Sequence, residues 1–450
     1  MKLYIPKQAA SIIQTLSSHG YEAYVVGGCV RDSILGKTPS DWDITTSAKP
    51  EQVKELFSKT IDTGIKHGTV TVMMDKTGYE VTTYRIDGVY EDHRRPSDVT
   101  FTTSLRDDLM RRDFTINAMA YNDTDGLIDL FGGMKDLECK VIRCVGQAKD
   151  RFEEDALRML RAVRFAGQLN FRIEHSTREA IAECHENLRD VSAERIQMEL
   201  LKLLISDHPE ILKEAYSTGL TNVFFPEFDR MMQTEQKNPH HCYSVGEHTL
   251  HAVRTIEPNP VLRLTMLLHD VGKPVTKTTD EYGIDHFYNH YKVGADMSKE
   301  ILKRLKFDNK TIQIVYQLIS HHDIRFKDPK NNGRRHVRKV MHSIGPTLFP
   351  YLLKVMEADV RSQSEYYQAE KLSILKETRE ACEEILEEKD CLSLRDLKIN
   401  GNQLKALGIR EGKVIGAILN TLLSMVLEHP ELNEYSYLKE LALKIYKQLR

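Results

Sequence analysis

Two aspartates at two-residue spacing offer the first chemistry in this sequence. In an extended strand, successive side chains point to opposite faces, so Asp41 and Asp43 would project to one side and Trp42, the only tryptophan, to the core. Two carboxylates this close repel each other unless a cation lies between them, and such oxygen ligands suit Mg²⁺. Glu80, in a predicted strand from Tyr79 to Tyr84, would be the third carboxylate. Taken alone, the aspartates fit a polar strand end at the surface equally well.

A glycine pair and an arginine precede the aspartates. Gly27 and Gly28 follow the short apolar run YEAYVV and open a helix, where backbone N–H groups can hold phosphate oxygens. Arg31 adds a guanidinium whose donors match phosphate. A glycine pair alone most often marks a turn. The combination of G-G-x-x-R-D with a following D-x-D is far more specific and indicates nucleotide chemistry.

The elements that position these residues predict an α+β chain. Strands are predicted at the YEAYVV run and at 41–45, 67–74, 79–84 and 98–102, and PEQVKELFSK predicts a helix with proline in its first turn. From Arg151 onward, apolar residues recur at three- and four-residue spacing, which predicts helices. The fold class is therefore an N-terminal mixed sheet followed by an all-α remainder.

Composition excludes several classes of protein. The 450 residues include 63 Lys and Arg, 66 Asp and Glu, and 41% hydrophobic residues, for a formal net charge of −3. A disordered chain would be less apolar and more charged, and a chain that coats nucleic acid by bulk charge would be basic. No run of about 18 uncharged apolar residues and no signal-peptide segment is present, which predicts a cytoplasmic protein without a membrane partner. The 7 cysteines are predicted to be buried thiols.

Histidine is concentrated in one window. Of the 18 histidines, 11 lie between His240 and His342, which is about a quarter of the chain. An even distribution would put about a quarter of them there, so the window is predicted to be a separate module.

Several segments together resemble a known family. GGCVRD, SDWDI, EVTTYR, YEDHRRPSDVTF, RRDFTINAMAY and EEDALRMLRAVRF, in this order, resemble the class II tRNA nucleotidyltransferases, or CCA-adding enzymes. The resemblance implies a nucleotidyltransferase head at 1–140, a helical neck at 141–235, an HD-type helical module at 236–362 and a tRNA-binding tail at 363–450. Bacterial poly(A) polymerases share the head but usually lack the EDHRRP loop, so they rank lower.

The resemblance also implies a reaction and its residues. The 3′-hydroxyl of tRNA would attack the α-phosphate of CTP or ATP, and pyrophosphate would leave, with two Mg²⁺ ions stabilising the attacking and leaving oxygens. Asp41, Asp43 and Glu80 would be catalytic, and Asp41 and Asp43 would hold the metal. The implied nucleotide-binding residues are Gly28, Arg31, Arg111, Arg112, Asp113, Asp155, Arg158, Arg161 and Arg164.

Asp155 and Arg158 carry the implied selection of the base. Three residues apart on one helix they would share a face, and without the family an intrahelical ion pair is the favoured interpretation. The family uses this EDxxR pattern as a protein template. Cytosine and adenine each present an amine donor beside a ring-nitrogen acceptor, which a carboxylate and a guanidinium complement. Uracil and guanine present the reverse order and would leave a buried charge unpaired.

The segment from Tyr84 to Arg112 is rich in arginine and has no lysine. It contains Arg85, Arg94, Arg95 and Arg106 besides the pair in RRDF, and planar bidentate donors suit phosphate recognition. Its EDHRRPSD loop resembles the flexible loop with which full CCA-adding enzymes switch from CTP to ATP. The loop argues against an enzyme that adds only CC, while an A-adding enzyme stays open.

The histidine-rich window resembles the HD metal-dependent phosphohydrolase domain. PHHCYSVGEHTLHAV, LLHDVGKP, FYNHYKVGA, ISHHDI and EADVRS carry this resemblance. It implies ligands for a transition metal at His248, His269, Asp270 and Asp359, with His290, His321 and His322 available for a second ion. Hydrolysis and a scaffold role are equally compatible with the pattern.

Two further functions are less compatible with the motifs. One is a phosphohydrolase with a secondary head, and the other is a non-catalytic RNA-binding protein. The intact DWD, RRD and EDxxR motifs disfavour both, because neither function needs them. The oligomeric state stays open.

Overall fold

The computed structural model describes residues 1–88, 99–237, 243–330, 333–410 and 412–448. The chain divides into two compact units, Met1–Pro226 and Glu227–Arg450. The EDHRRPSD loop, with Arg94 and Arg95, and the pair His240 and His241 lie outside the described residues. The finer division into head, neck, HD module and tail stays a prediction.

The first unit is built on a mixed sheet. In its described residues seven strands pair in the order β3-β4-β5-β2-β1-β8-β9. Strand β2 runs parallel to β5 and antiparallel to β1, which makes the sheet mixed. The strands of this unit are β1 Ala23–Val26, β2 Ile44–Thr46, β3 Thr60–Gly64, β4 Thr69–Met74, β5 Thr77–Thr83, β6 Arg85–Asp87, β7 Val99–Phe101, β8 Met119–Asn122, β9 Gly126–Asp129, β10 Val141–Ile142 and β11 Arg172–Ile173.

Helices pack against the sheet and form most of the remainder of the first unit. Leu109 on α4 belongs to a core cluster with Tyr24 and Val26 of β1 and with Tyr84, so α4 packs close to β1. The helices are α1 Lys7–Ser18, α2 Gly28–Ile34, α3 Pro50–Leu56, α4 Leu105–Met110, α5 Gly133–Glu138, α6 Ala148–Glu154, α7 Leu157–Leu169, α8 His175–Cys184, α9 Ala193–Leu204, α10 Leu212–Ser217 and α11 Leu220–Phe224.

The second unit is helical with one small hairpin. Strands β12 Lys277–Thr279 and β13 Asp285–Phe287 pair antiparallel. Its helices are α12 Pro226–Gln233, α13 Val245–Thr255, α14 Pro260–Leu268, α15 Lys273–Thr276, α16 His290–Arg304, α17 Asn309–His321, α18 Arg334–Ile344, α19 Phe349–Arg361, α20 Gln368–Glu387, α21 Gly401–Ala406, α22 Lys413–Glu428 and α23 Tyr435–Gln448. Within the described ranges, none of the helices has the length and apolar content needed to cross a bilayer.

The predicted α+β class is confirmed, and the strand predictions are correct to within a few residues, with one functional exception. Strand β2 begins at Ile44, so Asp41 and Asp43 lie in the segment before it. All three β2 residues are buried, so no alternation of buried and exposed side chains is seen. Trp42 is only half-buried, so the prediction that it anchors the strand in the core was wrong.

Candidate functional site

Three carboxylates meet at the start of β2. The backbone N–H of Val26 donates to the carbonyl oxygen of Asp43 at 3.0 Å, which holds the segment before β2 against β1. In the parallel pair of β2 and β5, Ile44 lies opposite Val81, so one residue earlier Asp43 lies beside Glu80. The structure thus brings Asp43, in the segment before β2, close to Glu80 of β5, and Asp41 lies two residues before Asp43.

The charges of these carboxylates act on one another. Neighbouring protein atoms strip water from Asp43 and raise its pKa, although its side chain still reaches solvent. Arg112 opposes this rise, while the negative charges of Asp41 and Glu80 add to it. A site in which neighbouring carboxylates raise the pKa of Asp43 is one that a cation would stabilise.

The glycine turn brings Arg31 into the unit rather than to its surface. Gly27 has φ +81° at the end of β1, and a Cβ there would lie 3.1 Å from Nη1 of Arg112. Arg31, on α2, is only 8% exposed. It donates to Asn117 at 2.6 Å and to Asp32 at 2.8 Å, so this guanidinium is already held by protein acceptors.

The two arginines of the RRD motif share one buried acid, Asp108. Nε and Nη2 of Arg111 donate to Oδ1 of Asp108 at 2.9 and 2.8 Å. Nη2 of Arg112 lies 3.5 Å from the other oxygen of Asp108. Asp108 was missed in the sequence: its spacing of three and four residues before Arg111 and Arg112 suggests a pair but does not indicate that the pair is buried.

Asp113 is held by a neighbouring helix. Its Oδ2 accepts from Nε of Arg161 on α7 at 2.9 Å, and its Oδ1 accepts from the amide of Asn117 at 3.1 Å. Burial alone would raise the pKa of Asp113, but Arg161 and Asn117 outweigh it and lower the pKa to about 2. Asp113 therefore stays ionised far below neutral pH.

The base-selection pair does not lie on one continuous helix. α6 ends at Glu154, and Asp155 has extended backbone angles of φ −137° and ψ 100° before α7 begins at Leu157. The prediction of an unbroken helix through this segment was wrong. Because Asp155 caps the break, its Oδ1 accepts from the backbone N–H of Leu157 at 3.1 Å.

Asp155 and Arg158 each form hydrogen bonds with residues outside the pair. Oδ2 of Asp155 accepts from Arg195 on α9 at 2.8 Å. Nη1 of Arg158 donates to Glu154 at 2.6 Å, and its Nη2 donates to the carbonyl of Arg111 at 2.9 Å. Arg158 therefore links α7 to the RRD motif, and Arg195 is a partner of Asp155 that the sequence did not reveal.

The remaining arginines of α7 surround one aromatic ring. The guanidinium carbons of Arg31, Arg161 and Arg164 lie 5.0, 5.4 and 3.6 Å from the centroid of the Phe165 ring. Arg164 also donates to Glu199 on α9, a buried acid. Further along the arginine-rich segment, Arg85 donates to Asp87 at 3.0 Å, and Arg106 lies over Phe131 at 5.6 Å.

The second unit holds a cluster of metal-ligand type around His248. His248 and His269 are fully buried, and their Nε2 atoms lie 2.9 and 3.7 Å from Oδ1 of Asp359. Together these three side chains could hold a metal ion. Backbone carbonyls face the other ring nitrogens, since Nδ1 of His248 lies 3.1 Å from the Ser362 oxygen and Nδ1 of His269 lies 2.7 Å from that of Met266. Such contacts orient metal-binding imidazoles.

A second cluster of this type adjoins the first through Asp270. Oδ1 of Asp270 lies 3.5 Å from Nε2 of His290 and 3.9 Å from that of His322. Oδ2 of Asp270 lies 3.2 Å from His269, so one carboxylate faces both clusters. His321, named as a candidate ligand for a second ion, lies elsewhere: its Nε2 faces the hydroxyl of Ser343 at 2.9 Å.

Two of the buried histidines, His269 and His322, differ in their protonation. Burial lowers the pKa of His269, but the carboxylates of Asp270 and Asp359 outweigh it and raise the pKa to about 10. For His322, burial and the neighbouring imidazoles of His290 and His269 lower the pKa to about 3. His322 is therefore a neutral ligand at physiological pH, while a metal ion at His269 would displace a proton.

A cavity of about 600 Å³ opens onto the second cluster. Asp270, His290, His322 and Asp359 line it together with three cationic side chains, those of Lys273, Arg325 and Lys371. The Nζ of Lys273 lies 2.8 Å from Oδ2 of Asp270. Cations beside ligand-type histidines suit an anionic substrate such as a phosphate ester.

Comparisons with known proteins agree with this two-part arrangement. The Poly A polymerase head domain matches residues 23–143, and the HD domain matches residues 240–392. Between them, a family described as "Probable RNA and SrmB- binding site of polymerase A" matches residues 170–232. Fold and site together define a chain with a nucleotidyltransferase-type head and an HD domain.

Individual relatives narrow this class. The CCA-adding enzyme of Lactobacillus delbrueckii subsp. bulgaricus is 53% identical over 215 residues, which cover 48% of this chain and 54% of that protein. The Pediococcus pentosaceus CCA-adding enzyme is 43% identical over 289 residues, covering 62% of this chain and 73% of that protein. The crystal structure of the Bacillus stearothermophilus CCA-adding enzyme in complex with CTP has a TM-score of 0.72 at 29% identity and covers 98% of both chains.

The chain belongs to the family of CCA-adding enzymes, because the Pediococcus match exceeds two thirds of that relative's length at 43% identity. The chain spans about half the length of curated relatives such as the Lactobacillus protein.

Replacing Asp113 with asparagine should destabilise the protein at pH 7 and lower the pH dependence of its stability in acid. The folded pKa of about 2 lies below the unfolded value of about 3.9. The ionised carboxylate therefore contributes its full stabilisation, on the order of 2 kcal/mol, above about pH 4, and this is lost as the pH falls toward 2.

Urea unfolding of the two proteins at pH 7 and pH 3 checks this expectation. The difference in free energy of unfolding should be smaller at pH 3. Asp75→Asn, at an exposed turn, is the control and should behave as the wild type at both pH values. An equal difference at pH 7 and pH 3 would contradict the assignment of a depressed pKa to Asp113.

Proposed function

We propose that this chain adds the nucleotides C, C and A to the 3′ end of tRNA from CTP and ATP and releases pyrophosphate. The observation that carries the proposal is the convergence of Asp41, Asp43 and Glu80 beside Arg112. Membership of the CCA-adding enzyme family supports the reaction, and the RNA-binding match over residues 170–232 supports an RNA acceptor.

The three carboxylates fit Mg²⁺, because they are oxygen donors whose mutual repulsion a hard cation relieves. Bound there, Mg²⁺ would neutralise negative charge on the phosphate oxygens. Asp41 and Asp43 are the proposed ligands. Glu80, from the neighbouring strand, is the proposed acceptor of the proton that leaves the 3′-hydroxyl of the tRNA.

The reaction forms one bond and breaks another at the α-phosphorus. The 3′-hydroxyl oxygen of the tRNA bonds to this phosphorus, and the bond to the bridging oxygen of pyrophosphate breaks. Positioned cations contribute most to such chemistry, since they stabilise charge without moving. The proposed contacts to the phosphates and ribose are Gly28, Arg31, Arg111, Arg112, Asp113, Arg161 and Arg164.

Asp155 and Arg158 are the proposed readers of the base. A carboxylate offers about four lone-pair sites, and the described bonds to Asp155 come from Leu157 and Arg195. Asp155 can therefore also accept from the exocyclic amine of cytosine or adenine. Glu154 directs the guanidinium of Arg158, which would donate to the ring nitrogen of the same base.

Incubation with Mg²⁺ and tRNAs that end before CCA, after C and after CC, with each labelled nucleotide alone, tests the main proposal. We expect C on the first two acceptors and A on the third. Asp43→Asn should lower the rate by roughly 10³-fold, because a bound metal supplies several kcal/mol of charge stabilisation. Asp75→Asn, an exposed aspartate on the turn between β4 and β5, should leave the rate unchanged.

Two outcomes would change the conclusion. Incorporation of A alone, and only on the CC-ended tRNA, would identify an A-adding enzyme instead. No incorporation on any acceptor by folded protein would refute nucleotide addition.

Asp155→Ala should reduce the discrimination against UTP and GTP by at least about 100-fold, because alanine cannot accept from the exocyclic amine that distinguishes cytosine and adenine from uracil and guanine at this edge. Competition between CTP and UTP on the first acceptor, and between ATP and GTP on the third, measures the change. Asp150→Ala, an exposed residue on α6, is the matched control. Unchanged discrimination in a folded Asp155→Ala protein would refute the template role.

The geometry also favours a second candidate function in the HD domain, metal-dependent hydrolysis of a phosphate ester. The specific observation is that Asp270 faces both histidine clusters at the wall of a cavity lined by Lys273, Arg325 and Lys371. Imidazole and carboxylate donors fit a transition metal, which would activate water there. The cationic side chains would hold the phosphate group.

His322→Ala should lower the bound metal per chain after loading with Mn²⁺ or Ni²⁺, while His321→Ala should not, because the His321 side chain faces Ser343 instead of Asp270. Metal content is measured by mass spectrometry, and hydrolysis with p-nitrophenyl phosphate and a 2′,3′-cyclic nucleotide. Equal metal content in the two variants would contradict the second cluster. If the metal-loaded wild type hydrolyses neither substrate, the hydrolytic function is refuted and the HD domain has a structural role.

A further inference from the structure

Asp108 is a fully buried carboxylate beside the RRD motif that the proposed chemistry does not use. It lies on the short helix α4, next to the core residue Leu109. A buried ionised carboxylate is costly unless it is paired and hydrogen-bonded. Arg111 meets this requirement with two donors to a single oxygen, at 2.9 and 2.8 Å, and these contacts fix the direction of its guanidinium.

The same carboxylate is tied to the strand that follows the catalytic aspartates. The hydroxyl of Thr45 donates to Oδ2 of Asp108 at 2.9 Å. Thr45 is fully buried in β2 and lies two residues after Asp43. Side chains at positions i and i+2 of an extended chain lie on one face, so Asp108 joins the segment of the carboxylates to the arginine pair.

Arg112 depends on Asp108 for its charge partner. Within residues 1–88 and 99–226, Asp108 is the only acid that forms an ion pair with Arg112, at 3.5 Å. The Nε of Arg112 is buried with no hydrogen-bond acceptor among the described residues, and its Nη1 packs against Gly27. Removal of the Asp108 charge would therefore free this guanidinium to move.

We propose that Asp108 is a positioning residue for nucleotide addition. It holds Arg111 and Arg112 in one geometry relative to β2, so that both guanidinium groups meet the triphosphate of the incoming nucleotide without reorganising. The inference rests on the proposed function of the head. Asp108 touches no substrate and acts only through the two arginines, as outer partners that orient binding groups do.

Asp108→Asn is the direct test, because asparagine keeps the size of the side chain and removes its charge. A misplaced cation pair should lower kcat/KM for CTP and ATP by about 100-fold, mainly through KM. The equilibrium affinity for CTP, measured by calorimetry without tRNA, should fall about 10-fold. Asp107→Asn, the preceding half-buried aspartate, is the matched control and should keep wild-type KM and CTP affinity.

A double-mutant cycle separates positioning from general stability. Asp108→Asn added to an Arg111→Gln/Arg112→Gln protein should lose little more CTP affinity than that arginine double variant alone if Asp108 acts through Arg111 and Arg112. If Asp108→Asn does not fold, Thr45→Val removes the hydroxyl that holds Asp108 and should change KM in the same direction by a few-fold.

Folded Asp108→Asn with wild-type KM and CTP affinity, or additive losses in the cycle, would overturn the proposal. These results are distinct from a failure of the proposed function, in which the wild type itself adds no nucleotide to any tRNA. The CTP affinity of Asp108→Asn relative to wild type decides the positioning role in either case.

Discussion

The candidate nucleotide site depends on one constraint: an arginine buried in the first unit needs an acid that fixes it in place. Arg31, Arg158 and Arg164 are each less than 9% exposed, a degree of burial that arginine tolerates only when it is paired. Their carboxylate partners are Asp32, Glu154 and Glu199. Each ion pair fixes the orientation of the guanidinium group and balances its charge. The arginines therefore form a rigid set of donors before any nucleotide binds.

The aromatic ring of Phe165 brings three of the ordered arginines together. Three guanidinium groups lie around it, from α2 and α7, within 5.4 Å of its centroid. The face of an aromatic ring attracts cations, and the paired acids reduce the repulsion between the arginines. Elements distant in sequence thus share one positive cluster, which is the form of preorganisation that phosphoryl transfer requires.

The sequence predicted the fold class and the residues that form each cluster, but not the partners of those residues. Asp41 and Asp43 could be paired from the sequence because side-chain alternation along an extended segment is a local rule. The break in the helix at Asp155 could not be predicted in this way. The Asp155 carboxylate is held by Arg195, 40 residues away, and helical spacing contains no information on such a contact. Asp108 escaped notice for a similar reason, since the spacing of an acid and an arginine on a helix predicts a weak surface pair as readily as a buried one.

The net charge does not indicate which ligands this protein binds, because it does not record how the charges are paired. A formal charge of −3 argues against bulk attraction to nucleic acid, yet acids such as Asp108 and Asp113 are paired with arginines inside the fold. The count also treats every histidine as neutral, although Asp270 and Asp359 raise the pKa of His269 to about 10. Some of the acids that make the net charge negative are the same acids that hold the arginine side chains in place. The local arrangement of charge, and not its sum, therefore determines which substrates each site can take.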